Sequence, residues 1–136
     1  MAAVTLTERL REYFDAHPEG VICAYLFGSA ARGTARAASD VDVAVLLERD
    51  PAPTLAGSGL RLGGELEQYL GRPVDLVPLN RAPVDLVHRV LRDGIVVFDP
   101  HPLERIRFEV RARNAYFDLK PILDEYRRAH GGPAGG

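Results

Sequence analysis

One stretch constrains this chain more than any other: Val21-Ile22-Cys23-Ala24-Tyr25-Leu26-Phe27, seven apolar residues in a row that stop at Gly28-Ser29. Its length is that of a strand, and its β-branched and aromatic members favour an extended backbone. A continuous apolar run of this kind reads as the central strand of a sheet. The rest of the chain must supply neighbouring strands and the helices that cover them.

Those elements can be placed from local signals. Thr5-Leu6-Thr7-Glu8 reads as a capping box, and Leu6, Leu10, Tyr13 and Phe14 follow at helical spacing, which predicts a first helix to about Ala16. His17-Pro18-Glu19-Gly20 is a stop and turn. After the central run, Gly28 to Thr34 is a turn with at most a short helix, and alternation in Asp40-Val41-Asp42-Val43 predicts a second strand over residues 40–47. Residues 48–59, with Pro51, Pro53, Gly57 and Gly59, form the best candidate for a mobile loop. A helix over 60–70, a strand over 74–79, a short helix over 83–92 and a strand over 95–98 follow. Residues 102–129 are helical in pattern, with Pro121 expected to kink or split them, and the Gly-rich tail 130–136 is expected to be disordered. The expected fold is α/β, a small mixed sheet flanked by helices, in one domain over 1–129 with its core in 1–99 and a C-terminal helical segment in 102–129.

Composition narrows the setting. At 136 residues the chain can bury a real core without disulfides or structural metal. Its one cysteine, Cys23, lies inside the apolar run, where a buried inert thiol is expected; a reducing, cytoplasmic environment fits. No stretch has the length and apolarity of a spanning helix, and the start lacks the basic-then-apolar order of a signal peptide. With 17 basic and 19 acidic residues the net charge is −2, so no global basic field favours nucleic acid, and no direct nucleic-acid partner is expected.

Chemistry concentrates in two places. Asp40 and Asp42, two apart on the predicted strand, present both carboxylates on one face while Val41 and Val43 take the other. With backbones about 6.7 Å apart, the repulsion is roughly 2 to 3 kcal/mol at an effective dielectric of about 20. A hard divalent cation would relieve it, and so would solvation of a polar strand face. Asp75 interrupts the otherwise apolar Val74-Asp75-Leu76-Val77, where a buried carboxylate would be costly unless paired or metal-bound. A strand-end acid paired with Arg72 or water is the plainer alternative. Gly28-Ser29 sits where a strand meets a turn, a place where backbone N–H groups and a hydroxyl can hold phosphate oxygens. Arg32 and Arg36 in the same loop could add phosphate contacts.

Together these residues spell Gly28-Ser29-Ala30-Ala31-Arg32-Gly33, then Ser39-Asp40-x-Asp42, with Asp75 on a later strand. The pattern resembles the signature of the DNA-polymerase-β-type nucleotidyltransferases, in particular the short MNT group of minimal nucleotidyltransferases. The resemblance spans nearly the whole chain in length and element order. It implies that Asp40 and Asp42 bind catalytic Mg²⁺, in all two ions, with Asp75 as the third carboxylate beside the acceptor hydroxyl. It further implies that Gly28 and Ser29, with Arg32 and Ser39, serve the triphosphate of ATP. Attack of a hydroxyl on the α-phosphate would then release pyrophosphate.

The same resemblance implies an acceptor. MNT proteins are typically paired with a HEPN-domain protein in toxin–antitoxin modules, here of type VII, the MNT member being an antitoxin that transfers AMP to a tyrosine of the toxin. An antitoxin that acts by occlusion without chemistry is one alternative, and a transferase for a small hydroxylated molecule such as an aminoglycoside is another. For the last, the lack of an acceptor domain is the adverse sign. A partner surface is expected between Leu103 and Tyr126, where Phe108, Tyr116, Phe117, Leu119, Ile122, Leu123 and Tyr126 interleave with Arg105, Arg107, Arg111, Arg113, Arg127 and Arg128. The competing expectation is that the apolar members pack on the sheet. His17, His88 and His101 have no His or Cys at metal spacing and are read as turn or surface residues.

Overall fold

The computed structural model describes residues 5–31, 40–49 and 60–130. Thr5 caps helix α1 (Leu6–Ala16), its hydroxyl accepting the Glu8 N–H at 3.1 Å, and Leu10, Tyr13 and Phe14 form the buried stripe. Strand β1 is the apolar run, Val21–Phe27. A bulge between Val21 and Cys23 shifts its register, after which Ala24 and Leu26 face one layer of helices and Cys23 and Tyr25 the other. That is why the run carries no polar alternation: both of its faces are core.

Helix α2 (Gly28–Ala31) follows at once, then β2 (Val41–Leu47), α3 (Leu60–Leu70) and β3 (Val74–Pro78). A 3₁₀ turn (Leu79–Arg81) leads to α4 (Val84–Asp93), β4 (Ile95–Phe98) and α5 (Pro102–His130). The sheet order is β3-β2-β1-β4, with β1 antiparallel to β2 and β4 and β2 parallel to β3. The mixed sheet with flanking helices is the expected architecture. The loop expected over 48–59 lies outside the described residues from 50 onward, as does the tail 131–136.

Two core clusters lie on opposite sheet faces. Val41, Val43 and Val45 meet Leu10 and Phe14 of α1 and Leu66 and Leu70 of α3, whereas Ala44 and Leu46 meet Leu79 and, from α4, Val87 and Val90. The second face is closed by α5 through a buried polar cluster. The Tyr25 hydroxyl donates to Glu109 at 2.7 Å, and Arg105 donates to Glu109 and to Asp99, each at 2.9 Å. Burial first, then the neighbouring Cys23 and the Glu109 carboxylate, push the Tyr25 phenol well above its ordinary range. Cys23 is fully buried, and burial pushes its thiol up to about 11, which makes it the inert residue expected.

Three sequence expectations need correction. Pro121 does not split α5, which runs from Pro102 to His130, so His130, expected in the disordered tail, is the last residue of the helix. The carbonyl deprived of its donor is that of Phe117, on a turn whose side chain is 64% exposed, so water can replace the lost partner. His88 is also no simple surface residue, since its ring stacks on Tyr116 at 3.6 Å between centroids and ties α4 to α5. Asn80 is a further tie that local pattern does not reveal. Its amide donates to the Leu47 carbonyl and accepts the Leu47 N–H, both at 2.9 Å, continuing the sheet's hydrogen bonding past the end of β2.

Candidate active site

Strand register brings the chemistry together. Asp42 is the second residue of β2, and it pairs with Phe27 on β1 and with Asp75 on β3. Directly paired residues share a face, and adjacent strands lie about 4.8 Å apart, so the two carboxylates stand side by side. Their face is that of Ala44 and Leu46, the one covered by α4 and α5. At roughly 5 Å, two such charges repel by about 3 kcal/mol at an effective dielectric of about 20, and by about 1 kcal/mol in water. Asp75 is exposed, which favours the lower figure. The sequence-based argument that Asp75 would be costly to bury is therefore corrected: β3 is an edge strand, and its acid faces solvent.

Gly28 is fixed by two independent requirements. Its φ is +72°, which side chains other than glycine resist, and a Cβ placed there would overlap the Asp42 carboxylate. The β1–α2 turn thus passes directly over Asp42, at a distance only glycine allows. Ser29 follows in the first turn of α2 and lines the same cleft as Asp42.

Gly28, Ser29, Asp42 and Asp75 line one wall and floor of a cleft of about 540 Å³. The opposite wall is α4, which contributes Leu86, Arg89 and Asp93. These three recur at helical spacing and so form one stripe, while Val87 and Val90 point into the core. Arg89 and Asp93 were not anticipated from sequence. The 3-4 spacing of Leu86, Arg89 and Asp93 was visible, but nothing local says which stripe of a short helix faces a cleft formed by strands far away in the chain.

Asp40 stands one residue before β2 and is exposed. Arg32 and Ser39 lie outside the described residues. Among the described residues no three His, Cys, Asp or Glu side chains gather into a ready-made metal cage. The pair Asp42 and Asp75, with the Cβ-free space above Asp42, nevertheless suits Mg²⁺, which takes one or two carboxylates and completes its shell with substrate phosphates and water.

Acids paired across parallel strands beneath a Gly-Ser turn are suited to holding a cation and a phosphate, and comparison with known proteins identifies the family. Residues 8–102 match the family described as polymerase beta, nucleotidyltransferase, and the chain belongs to that family. It is homologous to the protein adenylyltransferase MntA of Aphanizomenon flos-aquae (strain 2012/KM1/D3), with 30% identity over 106 residues, covering 71% of this chain and 69% of that protein. Among solved structures, a toxin–antitoxin complex with AMP-PNP superposes with a TM-score of 0.69 at 24% identity, covering 88% of this chain and 97% of the matched one. A chain of the complex of tri-AMPylated Shewanella oneidensis HEPN toxin with MNT antitoxin gives 0.60 at 21% identity over 88% and 93% of the two chains. A structure provisionally described as a minimal nucleotidyltransferase gives 0.53 at 34% identity over 70% and 98%. The α/β fold expected from sequence is that of these proteins.

Proposed function

We propose that this nucleotidyltransferase is the antitoxin of a type VII toxin–antitoxin pair, transferring AMP from ATP to a tyrosine hydroxyl of a HEPN toxin and thereby neutralising it. The observation that carries the reading is the register pairing of Asp42 with Asp75 directly beneath Gly28 and Ser29. Homology to an adenylyltransferase and likeness to antitoxins seen with HEPN toxins and with a nucleotide analogue support it.

In this reading Gly28 and Ser29 hold the triphosphate by backbone N–H groups and the hydroxyl, with Arg32 and Ser39 completing that grip. Asp42, with Asp40 and Asp75, would hold Mg²⁺, two ions in all, which would supply neutralisation of the negative charge of the reacting groups. Asp75 lies beside the incoming tyrosine and accepts its proton. The tyrosine oxygen forms a bond to the α-phosphorus, the bond from that phosphorus to the bridging oxygen breaks, and pyrophosphate leaves. Positioning and charge neutralisation supply most of the rate enhancement.

Helix α5 offers the partner surface. Phe108 packs on the sheet cluster and Tyr116 stacks on His88, while Phe117, Ile122 and Tyr126 are exposed. Leu103, Ile106, Val110 and Phe117 form an outward stripe on the side of the helix away from the sheet. That stripe also favours a second reading, in which occlusion of the toxin contributes to neutralisation. One experiment separates the two: intact-mass spectrometry of a HEPN-domain toxin that binds this chain, after incubation with the full chain, ATP and Mg²⁺. The expected result is one or more added AMP units, absent with the Asp40→Ala/Asp42→Ala variant. A stable complex without added mass would overturn the transfer reading and leave occlusion.

A further inference from the structure

The cleft contains an unusual charge problem. Its lining acids are Asp42, Asp75 and Asp93, yet the proposed substrate carries a triphosphate. Mg²⁺ held at Asp42 and Asp75 would answer for those two carboxylates and part of the phosphate charge. Asp93 is already answered, because Arg92 grips it with two hydrogen bonds at 2.9 and 2.8 Å. The remaining cation on the lining is Arg89, exposed on the α4 stripe, with no ion pair among the described residues.

Position distinguishes what Arg89 can reach. Helix α4 packs against α2, the short helix that Gly28 and Ser29 open, and against β1, whereas Asp75 lies on the edge strand β3. Arg89 therefore faces the cleft from the side of the Gly-Ser turn. We propose that Arg89 is the pyrophosphate-binding residue of this enzyme: its guanidinium holds the β- and γ-phosphates of the nucleoside triphosphate and stays with them as pyrophosphate leaves. The guanidinium fork matches phosphate oxygens two at a time, and it carries its charge at every working pH. Its exposure suits a group that must pick up a hydrated anion.

The inference rests on the nucleotidyltransfer reading of the cleft, and its test keeps the two apart. Binding of ATP, AMP and inorganic pyrophosphate to the full chain is measured by calorimetry with Mg²⁺ present, for wild type, Arg89→Ala, Arg89→Lys and Arg11→Ala. Arg89→Ala should weaken ATP and pyrophosphate by about 10- to 100-fold, as the loss of charge-assisted hydrogen bonds dictates, while AMP affinity stays within about twofold. Arg89→Lys should recover part of the loss, because it restores the charge without the fork, and Arg11→Ala, at an exposed position of α1, should match wild type. Equal ATP affinity in wild type and Arg89→Ala overturns the inference and leaves the cleft assignment standing. An equal loss for AMP and ATP also overturns it, since the residue would then act on the nucleoside or on the shape of the site. Failure of the wild-type chain to bind ATP at all would instead refute the reading of the cleft, and the inference with it.

Discussion

The close approach of Gly28 to Asp42 can be tested as an energy. Gly28→Ala puts a side chain at φ +72°, which costs about 1 to 2 kcal/mol, and drives its methyl into the Asp42 carboxylate, which costs about 1 to 3 kcal/mol more. In an Asp42→Ala background only the first cost remains in full. The would-be methyl lies 3.3 Å from the Asp42 Cβ, tight but tolerable, whereas the carboxylate that blocked it is gone. Asp42→Ala alone should change stability by less than about 1 kcal/mol, because losing its own contacts is offset by relief of the repulsion with Asp75. Urea unfolding of the four proteins closes the cycle. The predicted coupling is about 1 to 3 kcal/mol, which at a slope near 1.5 kcal/mol/M moves the Gly28→Ala midpoint by about 0.7 to 2 M between backgrounds. A coupling below about 0.5 kcal/mol would mean that the turn does not press on the carboxylate, and the geometry of the phosphate grip would have to be redrawn.

Three further outcomes follow from the fold. Glu109→Ala removes the acceptor shared by Tyr25 and Arg105 and should cost about 3 to 5 kcal/mol, read as a fall in the urea midpoint, with Glu109→Gln losing roughly half as much. Asn80→Ala should cost about 1 to 2 kcal/mol, and Asn80→Asp at least as much, because its second oxygen would face the Leu47 carbonyl where an amide now donates. Stability should decline in alkali: burial raises the Cys23 thiol from 9.0 to about 11, and burial with the Glu65 hydrogen bond raises the Tyr13 phenol from 10.0 to about 12. Both neutral forms are favoured by folding, so their contribution is complete below about pH 9 and is lost as pH rises through 11 to 12. Urea midpoints that stay level from pH 8 to 11 would contradict this.

How much of this was legible in the sequence depended on whether the signal was local. The capping box, the seven-residue apolar run and the Gly-bounded helices are local, and they place α1, β1, α3 and β4 at or very near their observed ends. The motif residues Gly28, Ser29, Asp42 and Asp75 were named for the same reason, and the fold does bring those four to one cleft. Register, by contrast, belongs to pairs of strands. That Asp42 meets Asp75, while Asp40 stands just outside the strand, depends on how β3 slides along β2. Arg89, Asn80 and the Tyr25–Glu109 bond fall in the same class, each meeting a partner distant in the chain whose presence no periodicity announces.

The placement of Asp42 explains how one strand can serve both stability and chemistry. Val41, Val43, Ala44 and Val45 are fully buried, and Leu46 nearly so; between Val41 and Val43 the pleat turns Asp42 to the face where helical cover ends and the cleft opens. The core therefore fixes the carboxylate's height and direction without burying it, and the turn at Gly28 presses on it from above. Substitutions in the valines should unfold the protein, since each leaves a cavity in a packed layer, whereas substitutions in the acids should leave a folded and inert one. A site built this way can lose its charge without losing its frame. An inactive Asp42 variant should still present the outward stripe of α5 unchanged, so any neutralisation that survives in it measures the share owed to occlusion alone.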